Sequence, residues 1–355
     1  VIERAGCRPY DLPLCRAWGS ARGGFARRRG WLVWVEADGL SGYGDCAPLP
    51  AAGTETYEAA GAMLEQLIAR LHGQAVETLL ATLDAESDTA TTPAARFALD
   101  CALADLASRR RGLSLRHWLA SEAVDRLAVN AMLGTLGAVD HEALRLSREQ
   151  GFRVLKLKVG VETPTSDLES LIALVQHQSV GLDVSLRLDA NGAWRFDQAC
   201  WFIERLARLR LPIESIEEPL AEPTPERLAE LQALAPCALA LDESLPTRFA
   251  TLDPTELGVR RLVLKPAALG GLRRTLALAC HAQAAGIEVV VTSLVESAAG
   301  LWPTAQLAGA IASPIPQGLA TADWLAADLG QAPRPQGGWL DLPDRPGSGF
   351  VSTRV

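Results

Sequence analysis

The sequence is short of the features that mark several protein classes. Its seven cysteines (Cys7, Cys15, Cys46, Cys101, Cys200, Cys237 and Cys280) are odd in number and scattered, and no CxxC pair occurs. Neither a disulfide framework nor a zinc knuckle is indicated, and reduced thiols in a cytoplasm fit best. No stretch of about 20 apolar residues is free of charge, so no membrane partner is expected. The first residues lack the apolar core of a signal peptide, and a cytoplasmic enzyme is the expectation. Basic excess is missing too. Lys and Arg total 34 against 42 Asp and Glu, a net charge of −8, which argues against nucleic acid as a partner. The arginine clusters 27–29 and 109–111 are too short to reverse that balance and read as solvated faces. No GxGxxG follows a first strand, which counts against a dinucleotide fold. None of the five histidines adjoins the acidic motifs described below, leaving zinc without its usual ligands.

What is present is ordinary in composition, with 48% hydrophobic and 21% charged residues, as in soluble globular proteins. A chain of 355 residues exceeds one ordinary core, so two domains are expected. Residues 10–15, 31–36 and 41–46 are β-rich and broken by turn signals such as Ala37-Asp38-Gly39, the pattern of antiparallel strands. The stretch 18–25 between the first two is too glycine-rich for either regular element. It reads as a long loop able to serve as a lid, or as a plain hairpin connection. Two helices follow, 56–72 with Thr54 as N-cap and 93–107 with Pro93 in its first turn. Phe97, Cys101, Ala104 and Ala107 make one buried stripe on the second. Residues 1–120 read as an α+β capping domain.

From residue 121 the pattern becomes strand–helix alternation. Strands are expected at 128–133, 154–158, 185–188, 213–217, 239–241, 262–264 and 287–291. Between them, Ala199, Phe202, Leu206 and Leu209 share a helical face, and Gly286 closes an Ala-rich helix at 272–285. Repeated βα units with near-continuously apolar strands indicate a parallel sheet. Seven or more in succession favour a closed (β/α) barrel, residues 121–321. The last segment, 322–355, is rich in Pro, Gly and Trp and is expected to return to the capping domain.

The barrel strands share one construction. Lys156-Leu157-Lys158, Leu188-Asp189-Ala190-Asn191, Ile216-Glu217-Glu218-Pro219, Leu241-Asp242-Glu243-Ser244 and Leu264-Lys265-Pro266 each end an apolar run on a charge. The intervals are 189 − 158 = 31, 217 − 189 = 28, 242 − 217 = 25 and 265 − 242 = 23 residues, about one strand, one helix and two loops each. Functional groups of such barrels stand at the C-terminal ends of the strands. Three carboxylates gathered there repel unless a cation joins them. Oxygen-only ligation by Asp189, Glu217 and Asp242 suits Mg²⁺, with Mn²⁺ as a substitute. Lys156 and Lys158, two apart on one strand, project to the same face, and Lys265 approaches from across the barrel. In charge terms the set suits a small anionic substrate.

These ordered motifs resemble the muconate-lactonising-enzyme subgroup of the enolase superfamily, over nearly the whole chain. The resemblance implies an enolase-like modified barrel under its capping domain, and an enediolate stabilised by Mg²⁺. It further implies Lys158 as the base, Lys265 as a cation on the opposite face and Lys156 tuning Lys158. Asn191, Ser293 and Gly318 would line the substrate pocket. Gly44-Asp45-Cys46-Ala47-Pro48-Leu49-Pro50, Thr292-Ser293-Leu294-Val295-Glu296-Ser297 and Gly318-Leu319-Ala320-Thr321 are most similar to a dehydratase branch of this subgroup. Gly44-Asp45 departs from the Gly-Glu common there. Racemases and epimerases of N-acylated amino acids or dipeptides share the lysine motifs and stay open, although the Asp-x-Asp of dipeptide epimerases is missing from 318–323. A catalytically silent binding protein is the alternative of another class.

Overall fold

The computed structural model describes residues 1–20, 23–85, 91–176 and 183–353. Strands β1 (Arg4–Ser20), β2 (Gly23–Ala37) and β3 (Leu40–Cys46) form an antiparallel sheet. Asp38 and Gly39, at φ 55° and 74°, give the doubly left-handed turn that a tight hairpin requires. The glycine-rich stretch is not an irregular loop. Trp18 pairs with Phe25, Gly19 with Gly24 and Ser20 with Gly23, so the hairpin arms run through it. Ladder bonds use only backbone groups, so pairing overrides low β-propensity here even though the register shifts between Pro13 and Trp18. Residues 21 and 22 lie outside the described residues.

Helices α1 (Tyr57–Ile68), α2 (Val76–Ala85) and α3 (Pro93–Arg110) follow. Thr56 caps α1 by accepting from the Ala59 N–H at 3.2 Å, whereas Thr54 accepts from the Leu49 N–H at 2.5 Å and fixes the turn before it. The residues of the expected stripe on α3 are all buried, and so is nearly every other position from Pro93 to Ser108. The helix is enclosed on all sides, with the cap sheet on one face and barrel helices on another. Close packing against β3 depends on two glycines. A Cβ at Gly42 would stand 2.1 Å from the Ala102 carbonyl oxygen, and one at Gly44 1.9 Å from that of Ala98.

Two buried acids on α3 are satisfied by distant segments. Asp100 accepts from the Leu272 N–H at 2.6 Å and pairs with Arg273 at 2.8 Å. It thereby caps the helix Leu272–Ala284, whose own N-cap, Gly271, has no side chain to do so. Asp105 accepts from the N–H groups of Tyr43 (3.1 Å) and Ser348 (2.6 Å).

After β4 (Arg126–Ala128), seven strands run parallel in chain order: β5 (Ala131–Thr135), β6 (Val154–Lys158), β7 (Ser185–Asp189), β8 (Ile213–Glu217), β9 (Ala238–Leu241), β10 (Arg261–Leu264) and β11 (Glu288–Val291). Bridges from Gln317 to Val129 and from Gly318 to Thr292 close the ring between the first strands and the last. A Cβ at Gly318 would lie 2.4 Å from Thr292 Oγ1, so the closure needs glycine. On the helix Phe196–Leu209, Ala199, Phe202 and Leu206 are buried, but Leu209 is exposed and Ile203 completes the packed face. Strand β12 (Trp339–Asp341) returns to pair with β4, and Phe350 packs edge-on against Tyr43 of the cap sheet at 5.4 Å. All seven cysteines are free thiols. Among the described residues no helix is long and apolar enough to cross a membrane.

Gly44→Ala forces the Ala98 carbonyl away from β3 and is expected to destabilise the fold by about 2–3 kcal/mol. Urea unfolding checks this; an unchanged midpoint would mean that α3 and β3 do not pack as closely as described.

Candidate active site

Parallel register brings the charged strand ends into one row. Lys158 stands opposite Asp189, Asp189 opposite Glu217, and Glu217 opposite Ala240, two residues before Asp242. Lys265 follows β10 immediately. The two-residue period of a strand puts Lys156 on the same interior face as Lys158. Beyond the row the chain turns sharply. Asn191 (φ 46°), Glu218 (φ 46°) and Val295 (φ 60°) hold left-handed conformations that non-glycine residues rarely adopt and that gather at functional sites. Asn191 is fixed by its N–H donating to Asp189 Oδ1 at 3.0 Å.

The lysines are held differently. Lys156 Nζ bridges Asp189 Oδ2 (2.9 Å) and Glu217 Oε1 (2.6 Å). Lys265 Nζ contacts Asp242 Oδ2 (2.6 Å) and Glu243 Oε1 (3.2 Å). Burial works against both charges, but the surrounding carboxylates outweigh it and raise both lysines well above their ordinary value. Lys158 donates to Asn191 Oδ1 at 3.2 Å. Burial, helped by the charges of Lys156 and Lys265, depresses it against the pull of Asp189. One lysine is thus biased toward the free amine and two toward the ammonium. Burial also raises Asp242, with Glu243 beside it, and pushes Glu218 up to about 7. Lys156 and Lys158 hold Asp189 below its usual range despite burial.

A cavity of about 280 Å³ opens on this row. Every predicted pocket residue lines it: Asn191, Ser293 and Gly318. Ser293 Oγ lies 2.7 Å from Thr321 Oγ1. Phe25, Leu49, Met132, Leu294 and Val295 supply apolar wall. Beneath the floor, Arg187 links Asn130 Oδ1 (3.1 Å) and Glu214 (2.7 Å).

Sequence reasoning missed Glu218, Glu243 and Asn130. Glu218 accepts from the N–H groups of Asp242 (2.7 Å) and Ser244 (2.8 Å) and from the Ser244 hydroxyl (2.6 Å), so it shapes the turn that presents Asp242. The signal for the two glutamates was the acidic doublets Glu217-Glu218 and Asp242-Glu243. A second signal is rarity. The chain contains three lysines and two asparagines in all, and all five line this cavity.

The residues fit a hard divalent cation. The donors are carboxylate oxygens only, and Asp242 Oδ1 and Glu243 Oε2 are buried without a hydrogen-bond partner, which is costly unless something positive reaches them. Among the described residues no three acidic, histidine or cysteine groups already surround one point. The Lys156 ammonium bridges Asp189 and Glu217, so a cation held by these two acids would have to displace it. Its flexible four-carbon stem lets it swing aside.

Residues 138–353 match the family described as enolase C-terminal domain-like, and residues 10–106 match the MenC N-terminal domain. Among curated proteins, the chain is 29% identical to an o-succinylbenzoate synthase from Desulfotalea psychrophila, over 94% of this chain and 98% of that one. It is 32% identical to one from Yersinia pseudotuberculosis serotype O:3, over 89% and 87%. Among solved structures, an L-Ala-D/L-Glu epimerase from Bacillus subtilis superimposes with a TM-score of 0.89 at 22% identity, covering 100% and 99%. A dipeptide epimerase from Enterococcus faecalis, solved with Mg and the dipeptide L-Leu-L-Tyr, does so with a TM-score of 0.86 at 25% identity, covering 98% and 99%.

Lys156→Met removes the cation between two buried carboxylates and is expected to cost about 3–5 kcal/mol in EDTA. Added Mg²⁺ should recover more of the unfolding midpoint in the variant than in the wild type. Equal recovery would mean that the ion does not bind between Asp189 and Glu217.

Proposed function

The chain belongs to the enolase superfamily and, within it, to the o-succinylbenzoate synthase family, and from that premise we propose its reaction. The protein dehydrates 2-succinyl-6-hydroxy-2,4-cyclohexadiene-1-carboxylate to o-succinylbenzoate, a step of menaquinone biosynthesis. One arrangement carries this reading. A low-affinity lysine (Lys158) and a firmly charged one (Lys265) flank three strand-end acids, under a cap whose sequence matches the MenC N-terminal domain.

Lys158 would act as a free amine. It takes the proton from the ring carbon that bears the carboxylate. It returns that proton to the hydroxyl on the neighbouring carbon, which departs as water. One C–H and one C–O bond break, a C=C bond forms, and the ring becomes aromatic. To work near neutrality a lysine must fall from about 10.4 to 7–8, roughly 4 kcal/mol; burial and two neighbouring ammonium groups push Lys158 in that direction. Asn191, bonded to its Nζ, would aim it. Lys156 would keep Lys158 from holding a proton and face the substrate carboxylate. Lys265, clamped by Asp242 and Glu243, would stay charged on the opposite face. Asp189, Glu217 and Asp242 would hold Mg²⁺, which when bound supplies the positive charge that makes the α proton acidic. Ser293 and Gly318 would line the pocket around the succinyl arm.

Racemisation on this scaffold asks both lysines to exchange protons. The match of residues 10–106 to the MenC N-terminal domain and the likeness to curated o-succinylbenzoate synthases support dehydration instead. The full lysine and carboxylate set also argues against a silent binding protein.

Two outcomes are expected. With Mg²⁺, the purified protein should convert the cyclohexadiene to its aromatic product, followed by ultraviolet absorbance, and leave the optical rotation of an N-succinyl amino acid unchanged. Lys158→Ala should lose at least about a thousandfold in turnover while remaining folded by circular dichroism; decaying rotation without aromatisation would instead make the protein a racemase. Because the base works unprotonated, kcat/KM should rise with pH through a Lys158 value below that of ordinary lysine. A flat profile from pH 5 to 9 would remove Lys158 from that role.

A further inference from the structure

Arg28 is buried, with 3% of its surface exposed, yet it makes no ion pair among the described residues. Its three hydrogen bonds all go to backbone carbonyls: Nε to Val295 (3.2 Å), Nη1 to Pro48 (2.9 Å) and Nη2 to Ala47 (2.6 Å). A buried arginine is ordinarily matched to a carboxylate. Here the planar fork is spent on main chain, which a point-charge ammonium copies poorly.

The places it ties together have one thing in common. Arg28 lies on β2, three residues after Phe25, over whose ring its guanidinium stands at 5.5 Å. Ala47 and Pro48 begin the turn that carries Leu49 and Pro50. Val295 belongs to the loop after β11. Phe25, Leu49, Pro50, Leu294 and Val295 all line the cavity above the lysine row. Three wall segments, two from the cap and one from the barrel, therefore converge on one side chain.

Val295 is the strained member. At φ 60° a β-branched residue is a genuine outlier that persists only where its surroundings hold it. Its N–H donates to Ser293 Oγ at 3.2 Å, and its carbonyl accepts from Arg28. The same turn orients Ser293.

We propose that Arg28 is a positioning residue for substrate binding: it holds Val295 in the left-handed conformation and pins the Ala47–Pro48 turn, so that the cap wall and the barrel wall close on the non-reacting arm of the substrate. Arg28 touches neither the reacting atoms nor the lysines. Its loss should therefore raise KM and spare the chemical step.

The test is a double-mutant cycle on the full chain, in which glycine supplies the left-handed conformation at position 295 without help. Arg28→Ala is expected to raise KM about tenfold or more, with kcat within threefold of wild type, and Arg28→Lys should fall between. In a Val295→Gly background the same Arg28→Ala change should raise KM no more than about threefold. An equal penalty in both backgrounds, or a loss confined to kcat, overturns the proposal. Hydrogen exchange at residues 293–297 provides a second arm that needs no substrate. Faster exchange in Arg28→Lys supports the proposal, and unchanged exchange overturns it, even where Arg28→Ala does not fold. The kinetic arm rests on the synthase reading. If the wild type does not aromatise the cyclohexadiene, that reading fails and the exchange arm alone decides on Arg28.

Discussion

Negative charge confined at the mouth of the barrel is the constraint to which the rest of the site answers. Asp189, Glu217, Glu218, Asp242 and Glu243 are all buried there, and Lys156, Lys158 and Lys265 are the cations among them. With every group charged the formal sum is −5 + 3 = −2, and with Lys158 as the free amine it is −5 + 2 = −3. In a medium of low effective dielectric such an excess cannot stand as bare charge. The structure accommodates it unevenly. Asp189 keeps its charge beside two lysines, whereas Asp242 and Glu218 are pushed toward protonation. A divalent cation would offset most of this excess, which gives a reason of electrostatics for the family's metal apart from its part in the chemistry.

A second ionic layer lies below the first. Glu214 is shared by Arg187 (2.7 Å) and Arg261 (2.9 Å), and Arg261 also reaches Glu288 (2.8 Å). Burial opposes the charge of Glu214, but the two guanidinium groups hold it below the usual carboxylate range. Cations at this level are arginines, which keep their protons. The lysines, whose protons can be traded, are kept for the level above.

The charged row was legible in the sequence because strand ladders convert it into geometry. A parallel register aligns strand ends, so an acid at the end of one βα unit meets the acid at the end of the next. The wall of the pocket had no such rule. Phe25, Leu49, Met132 and Val295 come from segments up to 270 residues apart, and no local pattern relates them. The burial of α3 was underestimated for a similar reason. Periodicity reports one partner face, and this helix has several. The glycine-rich stretch was left between a long loop and a hairpin connection, and the structure shows the hairpin, because propensity is a local quantity and strand pairing is not.

Asp100 has a consequence for how modular this architecture is. The helix Leu272–Ala284 begins at a glycine and takes its cap from α3, about 170 residues earlier in the chain. The helix Ala298–Ile311 is capped by its own Ser297, and Asp45 holds that capping residue, accepting from its N–H at 2.8 Å; Asp105 waits for Ser348. During synthesis these acids emerge first. Asp45 and Asp105 also have partners inside the cap, in Tyr10 and Tyr43, but all three lack their later partners until the barrel, and finally its last residues, have been made. The cap cannot be exchanged for that of another protein as a lid is exchanged on a vessel. A transplant would have to bring acids at these same three positions, so cap and barrel are bound to diverge as one inheritance.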